Sequence, residues 1–206
     1  MHSPVEPTPS AVPQSGAEPS ALQAERELVE SCRSGQIAAF EQLFRTHGPR
    51  MKSMALKLLG NPSDAEDAVQ ETFLKVYRSL AGFKGQSAFS TWIFRILINN
   101  CYDMRRRKQR RGGSAGEVDL DGENAPDVTA PASDHPLRMA LERAVAQLRP
   151  RLREVFLLAE VEGFKHQEIA GMLGIPETNS KNLLFQAKRE LRELLRAHEG
   201  RARSGQ

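Results

Sequence analysis

Apolar residues recur at intervals of three and four along most of this 206-residue chain, and no segment shows the alternation typical of a β-strand. The periodicity covers residues 25–111 and 137–198, so the sequence predicts an all-α protein with two small helical domains. Between them, residues 112–136 lose all periodicity and gain Gly, Asp and Pro, which is typical of a flexible linker. Residues 1–24, which are rich in Pro, Ser and Ala, and residues 199–206 are expected to be disordered tails.

Turn and capping residues in the first domain predict where its helices begin and end. Gly35 and Pro49 are expected to separate the first helices from one another. Ser63 and Glu66 are expected to form a capping box at the start of the next helix. The apolar stripe of that helix, which we expect to be buried, consists of Ala65, Val69, Phe73, Val76 and Leu80.

Two short helical patterns in the second domain are separated by a turn around Gly174 to Pro176. Ala170 is small where two helices would cross, and Gly174 permits a sharp turn four residues later. This spacing is typical of a helix-turn-helix, whose second helix enters the major groove of DNA. Candidate base and phosphate contacts on that helix are Glu177, Thr178, Asn179, Lys181, Asn182, Lys188 and Arg189. The alternative is a pair of packed helices in an ordinary all-α protein, but the basic side chains favour DNA binding.

Charge is segregated along the chain, although the net charge is only +3. Residues 25–111 contain 16 Lys and Arg against 9 Asp and Glu, and residues 137–206 contain 13 against 9. Residues 112–136 contain 6 acidic residues and no Lys or Arg. Two basic domains suggest a polyanion as partner, and that polyanion would repel the acidic linker. The linker is therefore expected to meet a different surface.

A basic run, Arg105–Arg111, ends the helix that is predicted to begin near Ala88. It would neutralise several phosphates of a nucleic acid. Phe83, Phe89 and Trp92 precede the run, and aromatic side chains beside a basic stripe can stack on unpaired bases. The pattern favours a single-stranded nucleic acid as ligand. Two alternatives stay open: the run is a solvated charged surface, and the last two aromatic residues belong mainly to the core.

Acidic residues cluster at one predicted helix start but do not indicate a catalytic metal site. Asp64 and Glu66 suit the positive end of the helix dipole, while Asp67 and Glu71 continue to Lys75 along a solvent face. We therefore interpret this face as a docking surface for another protein. The sequence shows no pattern of nucleophilic and acid–base residues and no Gly-rich phosphate loop, so neither an enzyme nor a cofactor is expected.

Cysteine usage and hydropathy exclude further classes of protein. Cys32 and Cys101 lie in apolar helical patterns, so we expect small core side chains rather than a disulfide framework or a zinc finger. No apolar stretch approaches the roughly 18 to 20 residues of a membrane helix. The first 24 residues lack the basic and apolar parts of a secretory signal. The sequence thus predicts no membrane insertion and a cytoplasmic location.

Three segments occur in an order that resembles the extracytoplasmic-function group of sigma factors, within the sigma-70 family. They are DAEDAVQETFLKVY from Asp64, FKGQSAFSTWIFRILINNCYDMRRR from Phe83, and the helix-turn-helix. The resemblance covers Glu25 to Arg111 and Leu137 to about Arg196. It implies a bacterial transcription initiation factor that binds core RNA polymerase, directs it to specific promoters and opens the DNA strands.

The resemblance also implies which residues touch each partner. The residues implied in docking on the clamp helices of the polymerase β′ subunit are Asp67, Gln70, Glu71 and Leu74. The residues implied in base capture and strand opening, at the promoter element near the start site, are Phe83, Lys84, Gln86, Ser87, Phe89, Thr91, Trp92, Asn99, Asn100, Asp103, Arg105 and Arg106. The second domain would read the more distant element and contact the β flap, while the linker would thread the RNA channel. An anti-sigma protein is a further implied partner.

The second helix of the helix-turn-helix departs from the family pattern. Where members often carry G-T-V-K-S-R, this chain has T-N-S-K-N-L from Thr178 to Leu183. Ser180 replaces an apolar core residue, which is expected to loosen the packing, and Leu183 replaces an Arg that could contact phosphate. Two other functions stay open at this point: a helix-turn-helix regulator that binds DNA without polymerase, and a decoy or adaptor that binds polymerase but starts no transcripts.

Overall fold

The computed structural model describes residues 21–111 and 136–204, and over these residues it contains helices and no strand. The first domain consists of α1 (Ala21–Arg33), α2 (Ile37–Leu59), α3 (Pro62–Ser79), a single 3₁₀ turn (Leu80–Gly82) and α4 (Phe89–Arg111). The second consists of α5 (Pro136–Gln147), α6 (Pro150–Phe156), a π-helical turn (Leu157–Val161), α7 (His166–Leu173) and α8 (Glu177–Ser204). The predicted all-α fold with two helical domains is confirmed. None of the described helices is long and apolar enough to cross a bilayer.

The terminal helices extend further than the predicted domain boundaries. α1 begins at Ala21, inside the predicted tail 1–24, because the sequence Ala-Leu-Gln-Ala at its start is strongly helix-forming. α8 continues to Ser204, so most of the predicted tail 199–206 is helical, in a stretch where Ala, Arg and Glu favour that conformation. The remainder of both tails, and the predicted linker 112–136 apart from its last residue, lie outside the described residues.

The core of the first domain forms where α2, α3 and α4 meet. The predicted stripe of α3 is buried along its whole length, each side chain being no more than 5% exposed. Met51 of α2 and Ile93 and Leu97 of α4 are fully buried against it. Cys32 and Cys101 are buried free thiols, as predicted, and burial raises the pKa of Cys101 to about 12.

Pro49 does not separate two helices, and this prediction is wrong. The residue lies inside α2, which runs without interruption from Ile37 to Leu59. A proline in a helix interior removes one backbone hydrogen bond and costs about 3 kcal/mol. The next turns of α2 bury Met51, Met54 and Leu58, and their packing into the core offsets that loss.

The predicted capping box at the start of α3 is also wrong. α3 begins at Pro62, two residues earlier than a cap at Ser63 would allow. The cap is Asn61, whose side-chain oxygen accepts a hydrogen bond from the backbone N–H of Asp64 at 3.0 Å. Glu66 instead forms an ion pair with a lysine of α2. Proline suits the first helical position because its missing N–H would have no helical partner there.

α6 carries a buried arginine that the sequence pattern does not reveal. Arg153 is 2% exposed, and its guanidinium donates to the backbone carbonyls of Val145 at 3.1 Å, Leu148 at 3.0 Å, and Ala146. These carbonyls lie at the end of α5, where a helix leaves its last acceptors without internal partners. Burial lowers the pKa of Arg153 to about 10, so the side chain stays charged at neutral pH and caps α5.

α7 and α8 form the predicted helix-turn-helix. Gly174 follows α7 with φ of +66°, and its N–H donates to the carbonyl of Ala170. Only glycine adopts this left-handed conformation without steric cost. α8 begins at Glu177, three residues after Gly174, and its first residues, Glu177 to Asn179, are exposed.

The two domains contact each other along one side of α4. Side-chain pairs that cross the interface include Phe94 and Phe164 (ring centroids 5.1 Å apart), Thr91 and Glu168 (2.6 Å), Arg50 and Glu162 (2.9 Å), and Tyr102 and Glu154 (2.5 Å). The interface thus combines an aromatic contact with several polar ones. The interface has the mixed composition of a contact between domains that can separate.

The polar centre of this interface is a buried carboxylate, Glu154, which is 2% exposed. It accepts hydrogen bonds from the hydroxyl of Tyr102 at 2.5 Å and from Nη1 of Arg151 at 3.2 Å, and Arg105 lies 4.0 Å away. Burial raises the pKa of Glu154, while these donors act in the opposite direction. A buried carboxylate of this kind depends on every donor that faces it.

Tyr102→Phe should weaken the contact between the domains, because it removes one donor to Glu154 and keeps the ring. A hydrogen bond to a charged group contributes about 1.5–3 kcal/mol, so the population with separated domains should rise roughly tenfold or more. Single-molecule energy transfer between one label in each domain measures that population. Tyr77→Phe, at a ring that is 66% exposed, is the matched control. Equal populations for Tyr102→Phe and wild type would contradict the assigned role.

Candidate protein and nucleic-acid interfaces

The four residues predicted to dock on another protein lie together on one face of α3. Their positions, Asp67, Gln70, Glu71 and Leu74, follow helical spacing, and all except the half-buried Glu71 are exposed. Glu71 pairs with Lys75 at 3.3 Å, one turn further along the helix. Leu74 is 56% exposed, so this polar face includes a large apolar side chain that nothing in the domain covers.

Sequence reasoning missed two aromatic residues beside this face. Tyr77 is 66% exposed and Phe44 is 46% exposed. Tyr77 packs edge to face on Phe40 at 5.4 Å, and Phe44 lies 4.7 Å from the buried ring of Phe73. Each of the two side chains therefore packs on another aromatic ring of the domain. For Tyr77 the available signal in the sequence was its position, because it is not a member of the apolar stripe of α3. We call Phe44, Asp67, Gln70, Glu71, Leu74 and Tyr77 the α3 face.

An apolar cleft of about 590 Å³ continues the α3 face onto α2. Phe44, Gly48 and Pro49 form one wall, and Val69 and Gln70 form the other. The proline that fails to break α2 therefore contributes to an exposed apolar surface. Patches of this kind on a monomer mark sites where other proteins bind.

The predicted base-capture loop, Phe83–Ser87, connects the 3₁₀ turn to α4. Lys84, Gln86 and Ser87 are exposed, whereas Phe83 is half-buried. The ring of Phe83 lies 5.0 Å from the half-buried ring of Trp92, with 35° between their planes. These two partly exposed rings form the aromatic surface beside the loop.

Phe89 does not belong to that exposed aromatic surface, which corrects its prediction as a base-capture residue. It is 2% exposed and packs between Phe83, at 5.6 Å, and Trp92, at 5.7 Å. Its neighbour on the other side is the buried His47, at 5.6 Å. Phe89 therefore supports the two outer rings from the core, which was the open alternative in the sequence.

The strand-opening residues predicted on α4 divide into three groups. Asn99 and Arg106 are exposed and Asp103 is half-buried, 3.6 Å from Arg106, so these three share one accessible side of the helix. Thr91 and Arg105 face the second domain through Glu168 and Glu154. A nucleic acid therefore reaches the first group directly and the second only when the domains separate.

Asn100 forms the third group and has a structural role, which corrects the prediction that it opens strands. It is 1% exposed, and its amide nitrogen donates to Oγ1 of Thr72 at 2.8 Å. Its amide oxygen accepts from Lys75, which also pairs with Glu71 on the α3 face. Asn100 thus joins α4 to α3 in the interior, as buried amides do when all their groups are paired.

The predicted DNA contacts of the second domain lie at the start and along one side of α8. The exposed members are Glu177, Thr178, Asn179, Lys181, Asn182 and Arg189. Lys188 is half-buried and pairs with Glu160 of the π-helical turn at 2.8 Å, so it is tied to its own domain. Lys181 hydrogen-bonds Glu177 at 2.7 Å, which lowers the pKa of that carboxyl.

Phe185 is the residue of this surface that sequence reasoning missed. It is 65% exposed and lies one helical turn from both Lys181 and Arg189. The buried side of α8 carries Ala187 and Leu191, which are at most 5% exposed, so an apolar residue between two cations on the other side was the available signal. An exposed aromatic ring among cations adds an apolar contact to a surface otherwise suited to phosphate.

Ser180 has a hydrogen-bond partner in the helix-turn-helix and is not a packing defect. It is fully buried, and its hydroxyl lies 2.9 Å from Nδ1 of His166. His166 is the first residue of α7, so this hydrogen bond joins the two helices of the motif. The pair replaces the apolar contact that the family pattern would place there.

Ser180 and His166 should show coupled effects on stability. Ser180→Ala and His166→Ala should each lower the free energy of unfolding by about 1 kcal/mol, because each leaves a polar group without its partner. The double variant should lose less than the sum of the two, since the pair interacts only once. Urea unfolding of the four proteins in this cycle measures the coupling. Strictly additive losses would contradict a hydrogen bond between the two side chains.

Comparison with known families identifies both domains. The family model for sigma-70 region 2 matches residues 43–111, and the model for sigma-70 region 4 matches residues 138–191. The chain is 34% identical over 168 residues to the RNA polymerase sigma factor CarQ of Myxococcus xanthus, and the match covers 81% of this chain and 95% of CarQ. It is 32% identical over 164 residues to the ECF RNA polymerase sigma factor SigE of Mycolicibacterium smegmatis, a match that covers 79% of this chain and 63% of that relative.

Solved structures that share the fold include two complexes of sigma-factor relatives. CnrH in complex with the cytosolic domain of CnrY matches with a TM-score of 0.63 and 27% identity, over 84% of this chain and 98% of CnrH. The sigma factor RpoE of Bartonella quintana, in complex with the anti-sigma factor NepR, matches with a TM-score of 0.62 and 25% identity, over 76% and 96% of the two chains.

Proposed function

Because the chain belongs to the extracytoplasmic-function group of RNA polymerase sigma factors, we propose that each of its domains contributes one polymerase contact and one promoter contact. A sigma factor binds core RNA polymerase and directs it to promoters without catalysing a reaction itself. In our proposal the α3 face docks on the clamp helices of β′, and the second domain contacts the β flap. The complex acts in the cytoplasm, where polymerase and chromosome meet.

The composition of the α3 face supports the docking proposal. Leu74 and Tyr77 expose apolar area that gains stability only when another surface covers it. Asp67 and Glu71 surround that area with negative charge, which favours a basic partner and excludes nucleic acid from the same face. The ion pair between Glu71 and Lys75 fixes the carboxylate in position before the partner arrives.

Asp67→Lys combined with Glu71→Lys should reduce the affinity for core polymerase by about a hundredfold or more, because like charges at an interface cost several kcal/mol. Fluorescence titration of labelled protein with core polymerase at low salt measures the change. Glu193→Lys, an exposed charge reversal on α8, is the matched control and should bind as the wild type does. Unchanged affinity of the double variant would refute the docking face.

We assign promoter opening to the loop Phe83–Ser87 and the accessible side of α4. Separating base pairs costs about 1.4 kcal/mol per step, and flipping one base costs a few kcal/mol more. Stacking of a base on the Phe83 and Trp92 surface returns about 1–3 kcal/mol, and the cations from Arg106 to Arg110 add phosphate contacts. The free energy gained from stacking and phosphate contacts offsets the cost of strand opening only when polymerase holds both domains on the DNA.

The domain interface supports a further part of the proposal, that an anti-sigma protein binds the closed arrangement. Thr91 and Arg105 are engaged by Glu168 and Glu154, so the closed form withholds part of α4 from the promoter. A protein that binds both domains in this arrangement would prevent transcription. Two solved relatives are complexes with a protein partner: CnrH with the cytosolic domain of CnrY, and RpoE with the anti-sigma factor NepR.

The purified chain alone should bind promoter DNA weakly, whereas its complex with core polymerase should bind tightly. The reason is that in the chain alone the second domain covers part of the DNA-binding side of α4, and the contacts with polymerase are missing. A gel shift at moderate salt tests this on a duplex that the complex selects from a randomised pool. Tight binding by the chain alone would favour a regulator that acts without polymerase.

A further inference from the structure

The two ends of the base-capture loop are both held by α1, a helix that sequence reasoning left without a function. Arg33, at the end of α1, donates from Nε to the carbonyl of Leu80 at 3.3 Å and from Nη2 to the carbonyl of Phe83. Its guanidinium lies 6.0 Å from the centre of the Phe83 ring. Arg33 thus binds the backbone of the segment that connects the 3₁₀ turn to the loop.

Glu25, near the other end of α1, holds the point where the loop enters α4. Its carboxylate lies by the first turn of α4, where the backbone N–H groups of Phe89 and Ser90 act to lower its pKa. The residue before α4 is Ala88, whose methyl side chain cannot accept hydrogen bonds from the helix start as Ser, Thr, Asn or Asp would. Glu25 of α1 is thus placed where a carboxylate can supply the cap that α4 lacks in its own sequence.

Glu25 is itself kept in place by the core. Its carboxylate lies 3.7 Å from Nε2 of His47, a ring that is 4% exposed and packs on Phe89. Burial lowers the pKa of His47, so the imidazole is neutral at pH 7. Burial raises the pKa of the Glu25 carboxyl, while the backbone N–H groups at the positive end of α4 act in the opposite direction.

Between these two attachments the loop spans an open cleft of about 600 Å³, with α1 as its opposite wall. Glu25 and Arg33 are eight residues apart, which corresponds to about 12 Å along a helix. Within the loop, Gly85 has φ of +67°, and the segment around it has no regular secondary structure. A loop without internal hydrogen bonding keeps one conformation only if its ends are fixed from outside.

We propose that α1 is a brace for the base-capture loop, in which Arg33 and Glu25 are positioning residues that fix its two ends and thereby preorganise the site for one unpaired base. The inference rests on the proposed role of the loop in base capture. Fixing the loop in advance removes the ordering cost that capture would otherwise carry, so the brace raises affinity without touching the base. Both residues should affect recognition of the unpaired strand and leave polymerase binding unchanged.

The test uses the complex of the full chain with core polymerase and a fluorescent single-stranded oligonucleotide, selected by the wild-type complex from a randomised pool. The measured quantity is discrimination, the ratio of the Kd for the same oligonucleotide with an abasic site at the captured position to the Kd for the intact one. Arg33→Met and Glu25→Ala should each reduce discrimination about tenfold. Affinity for core polymerase, measured in parallel, should stay within about twofold of the wild type.

Conservative variants separate positioning from charge and from general stability. Glu25→Gln should retain discrimination, because an amide oxygen can also accept from the N–H groups at the start of α4. Arg33→Lys should lose most of it, because a single ammonium cannot reach two carbonyls as a guanidinium does. Arg26→Met is the matched control: Arg26 also lines the cleft on α1 but has no hydrogen bond or ion pair with another described residue. An equal loss in Arg26→Met would overturn the brace in favour of simple attraction to phosphate.

Two further measurements keep the brace and the base-capture role distinguishable. Phe83→Ala changes the loop itself: if it leaves discrimination unchanged, the capture role fails and the brace fails with it. If Phe83→Ala reduces discrimination while Arg33→Met and Glu25→Ala do not, the brace alone is overturned. Amide hydrogen exchange in the protein without DNA should be faster at Phe89 and Ser90 in Glu25→Ala than in Glu25→Gln. Equal rates at these amides would contradict the cap.

Discussion

The burial of one side of α4 is the constraint on which the remaining structure depends. Ile93, Leu97 and Ile98 are fully buried against α2 and α3, and each contributes about 1.5–3 kcal/mol by leaving water. The same helix begins at the capture loop and ends in the basic run. Its remaining side meets the second domain through Phe94 and Tyr102. The positions of the loop, the DNA-facing side and the domain interface are therefore all fixed by how this one helix packs.

This arrangement connects attachment to the polymerase with opening of the promoter. α3 carries the proposed docking face on its outer side and packs on α4 with its inner side, partly through Asn100, Thr72 and Lys75. If α3 docks as proposed, a rigid connection of this kind holds α4 at a defined position on the polymerase. In the proposed function, binding energy gained on the α3 face and in the second domain then offsets the cost of strand separation.

The fold was predictable from the sequence wherever burial repeats along one helix. The stripe of α3 and the two helices of the helix-turn-helix follow from such local periodicity. Gly174 marks the turn between those two helices, because only glycine forms that turn readily. Pro49 misled because core packing outweighed a local preference, and Ser63 misled because a competing cap, Asn61, lay two residues earlier. Local signals fail in this way wherever tertiary contacts decide.

The candidate site was predictable only in part, for the same reason. Residues on one exposed face, such as those of α3, share a helical spacing that the sequence displays. The positions of Asn100 and Phe89 could not be read in that way, because polar and aromatic residues suit both core and surface. The contacts from Arg33 to Phe83 and from Glu25 to Phe89 join segments 50 or more residues apart, so no local pattern contains them.

The most direct test of the central claim is strand opening by the reconstituted complex. Permanganate oxidation of unpaired thymines, on templates that the complex selects from a randomised promoter pool, reports where the duplex is melted. The account predicts reactive thymines in a short segment at the element near the start site, only when both core polymerase and this chain are present and without added nucleotide. Templates that stay unreactive with both proteins present, or that become reactive with core polymerase alone, would contradict it.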